Sequence, residues 1–549
     1  FNANETKLAA GTEGGTIRVY DFENDKVART LNGHLTECTS LHFHPYASNY
    51  VVSTSKDNNL KVWDLRGKKC LNTFRGHSDT EVLVEGFAEW GVGATAERTI
   101  GMFAFAIIDS RGAHPRVLIG RDRLGIKPMY YAHTKDGLAW ASESKALLAM
   151  GADGPGRAGV DRELRGEALL EYLTRGFVGG EHSAWRGIER LRPGCTLAWD
   201  GATGAVEIQR YWDLPLDLRG PADESQVLEW TDRVVRDRLV ADVPLGAFLS
   251  GGIDSSAVVT SMARQAKQTG GEPVIACSVG FQEKSHDELG LAVATAESLG
   301  AVHHTERLEA DPRLALDELP WFYDEPLADP STVPTFLVSR MAREHVTVAL
   351  SGDGGDETFA GYRRYLHDQA ENRLRRVLGP AAKLAGALGR VYPKLDRAPQ
   401  WLRGKSFLTN LGADPGRAYF QSVSILTRPE VDALLAPDLR AELAGHDPAA
   451  EFLEHYARPT TDCPVYRAQY ADVHTYLTDQ VLAKVDRASM GVSLEVRVPL
   501  LDHRFMERFA NLPAHQKIHG GRGKHLLRES QRGRLSAEVL DGKKRGFDT

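Results

Sequence analysis

Cysteine is scarce in this chain. Five occur in 549 residues (Cys38, Cys70, Cys195, Cys277 and Cys463), far apart and in no metal-ligand spacing. That excludes a disulfide framework and a thiolate zinc centre, and the thiols are expected to be buried or incidental in a reducing, cytoplasmic setting. No apolar run approaches the length of a membrane span, and no signal-peptide pattern opens the sequence. Neither sign of charge is in large excess: 67 Lys and Arg face 74 Asp and Glu, for a net charge of −7. Bulk electrostatics therefore give no reason to expect nucleic acid or an acidic membrane as a partner. The 42% hydrophobic and 26% charged content is that of a soluble globular protein. The length calls for roughly three or four domains.

Two glycine-rich stretches carry the chemistry. Val243-Pro-Leu-Gly-Ala-Phe-Leu249 reads as a buried strand, Ser250-Gly-Gly-Ile-Asp-Ser-Ser256 as a tight turn, and Ala257 onward as a helix. The glycines Gly251 and Gly252 let backbone approach a ligand, and free N–H groups of the turn and helix start converge on one spot. The hydroxyls of Ser250, Ser255 and Ser256 add donors, so the stretch suits phosphate oxygens. No Gly-Lys-Ser/Thr follows, so it is not a Walker loop. The second stretch, Ser351-Gly-Asp-Gly-Gly-Asp-Glu357, follows another apolar strand, Val346-Thr-Val-Ala-Leu350. Between them, Pro273–Val279 reads as a strand and Asp287–Leu299 as a helix. Alternating strands and helices predict a doubly wound parallel sheet with ligands at the carboxyl ends of its strands. Magnesium takes hard oxygen ligands, often one or two carboxylates beside phosphates, and Asp254 and Asp356 are the candidates. Either loop alone could be an acidic turn; two in this order make that reading a poor one.

Residues 1 to about 78 have a different grammar. Asp21 and Asp64, like His34 and His77, stand 43 residues apart, and Leu60-Lys-Val-Trp-Asp64 repeats the place of Thr16-Ile-Arg-Val-Tyr-Asp21. That is the length of a propeller blade. The stretch resembles WD-repeat proteins, most nearly the katanin regulatory-subunit type, which implies structural roles for His34 and Asp57. It holds about one whole repeat, too little to close a propeller, and a protein partner through it is not expected.

From Ser78 the grammar changes. Val82–Trp90 has helical spacing, Gly101–Asp109 and Arg116–Asp122 read as paired strands, and Leu124–Tyr131 and Leu138–Glu143 as continuations of the same sheet. Residues 79–215 resemble the second half of the glutaminase domain of glutamine-hydrolysing asparagine synthetases. The resemblance implies an α+β N-terminal-nucleophile fold, with Asp79 on the glutamine amino group and Ser142, Glu143 and Lys145 in an Ala-Ser-Glu-x-Lys-Ala segment. That family needs a cysteine heading its mature chain, an arginine and an Asn-Gly-Glu segment. WD-like sequence stands in their place, so this half is expected not to hydrolyse glutamine. A spliced or misassembled reading frame explains the join better than an evolved fusion, and Phe1 and the Lys543–Asp548 run read as cut ends.

After a polar linker and an amphipathic helix over 224–239, residues 225–549 resemble the synthetase domain of the same family, an α/β ATP-pyrophosphatase (adenine nucleotide α-hydrolase-like) fold. The match runs through both loops, Asp324-Glu-Pro-Leu-Ala-Asp-Pro330, the stretch from Leu482 to Asp502, Gly523-Lys-His-Leu-Leu-Arg528 and Lys543-Lys-Arg-Gly-Phe547. The resemblance implies ATP and Mg2+ as cofactors and aspartate with ammonia or glutamine as substrates, and leaves a homodimer open. Leu249, Val279, Ser351 and Gly352 would seat the adenosine and the Ser250–Ser256 loop the pyrophosphate. Asp353 would orient the acceptor or take a proton from ammonia. Lys524 would lie near the pyrophosphate, and Lys544 would stabilise the oxyanion. Arg497 could hold a substrate carboxylate or pair with Glu495 or Asp502. The expected reaction adenylates aspartate, releases pyrophosphate, and lets ammonia form asparagine and AMP. Two other readings stay open: a relative that amidates another carboxylate or closes a lactam, and a non-enzymatic WD-repeat scaffold.

Overall fold

The computed structural model describes residues 6–12, 16–22, 24, 26–32, 38–44, 47–55, 59–65, 69–75, 79–135, 137–150, 160–281, 289–308, 313–393 and 405–542. His34, Asp57 and Lys544 lie outside them, as does the side chain of Asp79. The chain divides into two compact units, Phe1–Arg98 and Thr99–Thr549.

In the first unit, β1 (Lys7–Gly11), β2 (Ile17–Asp21) and β3 (Lys26–Leu31) form one antiparallel sheet. A second contains β4 (Cys38–His44), β5 (Ala47–Ser55), β6 (Asn59–Asp64) and β7 (Lys69–Arg75). Both repeat segments identified by their terminal aspartates are strands, β2 and β6. The period of two is explicit in β2, where Ile17 and Val19 are fully buried and Arg18 is exposed. Leu31, Val51 and Leu65 complete this core. A helix over Asp79–Arg98 follows, broken at Gly91, whose φ of 80° only glycine adopts cheaply.

The second unit opens with β8 (Ala104–Asp109), β9 (Arg116–Arg121), β10 (Tyr130–Thr134), β11 (Gly137–Ala141), β12 (Glu189–Arg190), β13 (Cys195–Asp200) and β14 (Val206–Arg210). The expected pairing of β8 with β9 is present. The expectation that Leu124–Tyr131 and Leu138–Glu143 extend the same sheet is corrected: β8, β9, β13 and β14 make one sheet, and β10, β11 and β12 another. The cause is a turn built on the buried Asp122, whose carboxylate accepts from the backbone N–H of Leu124, Ile126 and Lys127 at 2.9–3.2 Å. That turn leads the chain out of the first sheet before β10 begins.

A helix over Glu224–Arg236, started by an Asp223/Gln226 capping box, leads into the central sheet. Its strands are β15 (Leu245–Phe248), β16 (Ile275–Phe281), β17 (Val302–Leu308), β18 (Val348–Leu350) and β19 (Glu495–Arg497). Every pairing is parallel, in the order β17-β16-β15-β18-β19. The chain runs outward one way from β15 and the other way from β18. The topological switch point therefore lies between them, where ligands bind in open parallel sheets. Val234, Val235, Ala247, Val258, Val259, Leu350, Phe505 and Phe509 pack into the core beneath it.

Candidate active site

Both glycine-rich loops leave the sheet at this switch point. Leu249 donates its N–H to Cys277 O at 2.9 Å, and its own carbonyl accepts from Ser278 Oγ. The turn then closes on itself. Ser250 N–H and Gly252 N–H donate to Ser255 Oγ and Ser250 Oγ at 3.2 and 3.3 Å, with Gly251 at φ 79°. The helix Ile253–Thr269 starts there with Asp254 in its first turn. Ser256, expected among the phosphate donors, is fully buried behind the turn and lines neither chamber described below.

The second loop is pressed against the first. A Cβ on Gly352 would come within 2.5 Å of Ser255 N, and one on Gly355 within 2.2 Å of Asp254 Oδ1. Only glycine permits this approach. Ser351 Oγ donates to Asp353 Oδ2 at 2.6 Å, aiming Asp353 at the cavity it lines. Opposite stands Lys524, which holds a left-handed φ of 60° and donates its N–H to Phe359 O at 2.9 Å. Its Nζ lies against Asp254 Oδ2 and 2.8 Å from Asp356 Oδ1. Burial alone would lower its pKa, but the Asp254 and Asp356 carboxylates outweigh that and hold the ammonium above the usual lysine range.

Two chambers share Ser250, Gly252, Asp254 and Asp356. One, of about 300 Å³, is lined by Leu249, Val279, Ser351, Gly352, Asp353 and Glu357 among others. The other, of about 430 Å³, is lined by Gly251, Gly361, Arg363, Arg528 and Lys524. Asp254 and Asp356 thus stand at their junction. The oxygen donors there suit a hard divalent cation, and glycine backbone packs against both carboxylates: a Cβ on Gly361 would meet Asp356 Oδ1 at 2.0 Å. The residues fit magnesium beside a polyphosphate.

Two residues in the first chamber, Lys484 and Glu357, escaped sequence reasoning. Lys484 donates to Asp329 Oδ2 at 3.0 Å and to Ser331 Oγ at 2.5 Å. Glu357 is buried and accepts from Tyr362 OH at 2.6 Å. Burial and the neighbouring Asp356 charge raise its pKa to about 7 despite that hydrogen bond. Lys484 lies in the quoted stretch after Leu482 and Asp329 in the Asp324-Glu-Pro segment, but nothing in their spacing pairs them. Arg497 resolves the other way. It donates to Glu495 Oε1 and to the carbonyls of Arg238 and Val240, a structural role that leaves no fork for a substrate. Ser142, Glu143 and Lys145 are structural too. Arg487 donates to Ser142 O at 2.7 Å and pairs with Glu143 at 3.3 Å, while Lys145 N–H donates to Asp324.

A parallel sheet with paired acidic and glycine-rich loops at its switch point, closed by a buried lysine, defines a class of α/β proteins that take a ligand at the carboxyl ends of their strands. The comparisons narrow the class. The family model for asparagine synthase matches residues 226–549, that for a glutamine amidotransferase domain 63–212, and that for a WD domain, G-beta repeat, 25–64. A putative glutamine-hydrolysing asparagine synthetase of Mycobacterium tuberculosis is 34% identical over 86% of this chain and 70% of its own. Asparagine synthetase 1 of Bacillus subtilis is 32% identical over 86% and 72%. Amidase chry2 of Gibberella zeae is 26% identical over 86% and 73%. The chain belongs to the asparagine synthase family of carbon–nitrogen ligases, and it carries glutamine amidotransferase and WD-repeat regions ahead of the synthase region.

Proposed function

We propose that the chain forms asparagine from aspartate, ATP and ammonia, releasing AMP and pyrophosphate, on an ATP-pyrophosphatase-type domain over 225–549. The observation that carries this reading is the Lys524 ammonium between Asp254 and Asp356, at the junction of two chambers of unlike character. Adenosine fits the chamber walled by Leu249, Val279, Ser351 and Gly352, and pyrophosphate fits the one formed by the Ser250–Ser255 turn, Lys524 and Arg528. A carboxylate is a poor acyl donor because its leaving group would be oxide. Transfer of AMP to that oxygen supplies a good leaving group, and ammonia then displaces it. Asp254 and Asp356 would hold Mg2+, which would supply neutralisation of phosphate charge. Lys524 keeps positive charge beside the departing pyrophosphate. Asp353 faces the first chamber, where a carboxylate can orient the acceptor or accept a proton from the attacking ammonia. Lys544 is assigned the oxyanion.

Nitrogen comes from free ammonia in this reading. The amidotransferase-like segment, assigned to residues 79–215 with Asp79 as a remnant of its glutamine site, is preceded by WD-like sequence (1–78) rather than by a nucleophilic cysteine. Its Cys195 is buried in β13, and burial raises the thiol pKa. The test is AMP formation by the full chain with magnesium, ATP, aspartate and ammonium. AMP and asparagine should appear, and glutamine in place of ammonium should yield neither product nor free glutamate. Lys524→Met should lower AMP formation by about a hundredfold or more with an unchanged circular dichroism spectrum. Absence of AMP from the unaltered chain overturns the proposal. A second reading, amidation of another carboxylate, is supported by the similarity to an amidase; AMP appearing with some other acid but not aspartate would select it.

A further inference from the structure

The helix Ala381–Val391 is packed the unusual way round. Its small residues face inward: Ala382 is buried, and Gly386 and Gly389 lie so close to the helix Lys405–Leu411 and Gly412 after it that a Cβ on either would come within 2.5 Å of backbone. Its large apolar residues face outward. Leu384 is 71% exposed, Leu388 61% and Val391 79%, and Val377 at the end of the preceding helix is 83% exposed. An apolar stripe at this spacing on one helix face marks a docking surface.

Charge identifies what docks there. No Asp or Glu occurs between Glu371 and Asp396, whereas Arg373, Arg375, Arg376, Lys383, Arg390 and Lys394 do. Arg373, Arg376 and Lys383 are exposed around the stripe, while Arg375 is turned inward onto the carbonyls of Asn410 and Leu411. A second copy of this chain would set like charges against like across a two-fold axis, with no carboxylate in the stretch to answer them. Nucleic acid would satisfy the cations but gain nothing from four exposed leucine and valine side chains. A surface that is both anionic and apolar just beneath satisfies both.

We propose that this face, formed by Val377, Leu384, Leu388 and Val391 within a rim of Arg373, Arg376 and Lys383, docks peripherally on an anionic phospholipid bilayer. The chain's net negative charge conceals the site, because the basic stretch is local. The leucines and valines enter the headgroup boundary while the basic rim meets lipid phosphates.

Flotation of the full chain with vesicles tests this. Binding is expected to vesicles of phosphatidylcholine mixed with phosphatidylglycerol and not to phosphatidylcholine alone, and to weaken as salt is added. Leu384→Glu/Leu388→Glu should weaken it by at least about tenfold, and Arg373→Glu/Arg376→Glu/Lys383→Glu by about a hundredfold. Melting curves establish that each variant folds; should the leucine pair fail, the charge reversal alone carries the test. No binding to the anionic vesicles, or binding undiminished in both variants, overturns the proposal. So does a dimer in sedimentation that the leucine variant converts to monomer, since a second copy would then be the occupant.

Discussion

Glu357 and Lys517 are buried ionisable residues joined through one side chain. Lys517 is fully buried and donates to Gln469 Oε1 at 2.7 Å and to Ala510 O, and Gln469 Nε2 donates to the carbonyl of Glu357 at 2.5 Å. No carboxylate answers the ammonium in these contacts, and burial pushes its pKa down to about 7 from 10.5. Glu357 is pushed up to about 7 from 4.5, by burial first and then by Asp356. Their effects on stability have opposite signs. Between pH 4.5 and about 7 the folded chain keeps a proton on Glu357 that the unfolded chain has released, so stability falls as pH rises. Between about 7 and 10.5 the folded chain has lost the Lys517 proton that the unfolded chain still holds, so stability rises. Urea unfolding across pH should show Glu357→Gln removing the first slope and Lys517→Met the second, each up to about 1.4 kcal/mol per pH unit. Neither burial was legible in the sequence. Lys517 sits in an unremarkable short helix, and its environment comes from Gln469, Tyr466 and Ala510, distant in the chain or on another turn.

Among the elements, the two loops after β15 and β18 were readable because their chemistry is local. An apolar strand, glycines at the turn and a carboxylate in the next helical turn appear in the sequence in the order in which they act. Their mutual approach was not readable, and it sets strict limits on substitution. At Gly361 an added Cβ would strike both Asp356 Oδ1 at 2.0 Å and Lys524 Cε at 2.1 Å. Gly361→Ala is expected to cost about 1–3 kcal/mol of stability, measured by denaturant unfolding, and to lower AMP formation by about tenfold or more by displacing Lys524. The β10–β12 sheet shows the opposite case. Leu138–Glu143 covered β11 and Leu124–Tyr131 only the start of β10, and their sheet was misassigned, because the Asp122 turn that separates them from β8 and β9 depends on hydrogen bonds the strand pattern does not record. Arg497 was left open between two roles, and the carbonyls of Arg238 and Val240 decided it.

For the whole molecule, the division after Arg98 makes a direct prediction. A chain comprising Thr99–Thr549 should retain ammonia-dependent AMP formation within about twofold of the full chain, since a compact unit with its own core needs no partner to fold. A larger loss would assign the first 98 residues a part in the reaction. The 43-residue repeat marked the WD-like region and the two glycine loops the synthase region, while the amidotransferase-like region between them was read from its resemblance to a family. Each of those signals is a pattern of neighbours along the backbone: alternation, turn chemistry, strand-to-helix order. Only the tertiary structure brought Lys524 between Asp254 and Asp356, joined Lys484 to Asp329, buried Glu357 and turned Leu384 and Leu388 outward. Those outcomes depend on which surfaces meet across hundreds of residues, and on glycines whose missing side chains let backbones touch. Burial and distance then set the charge each group can carry, and with it the chemistry available at the switch point.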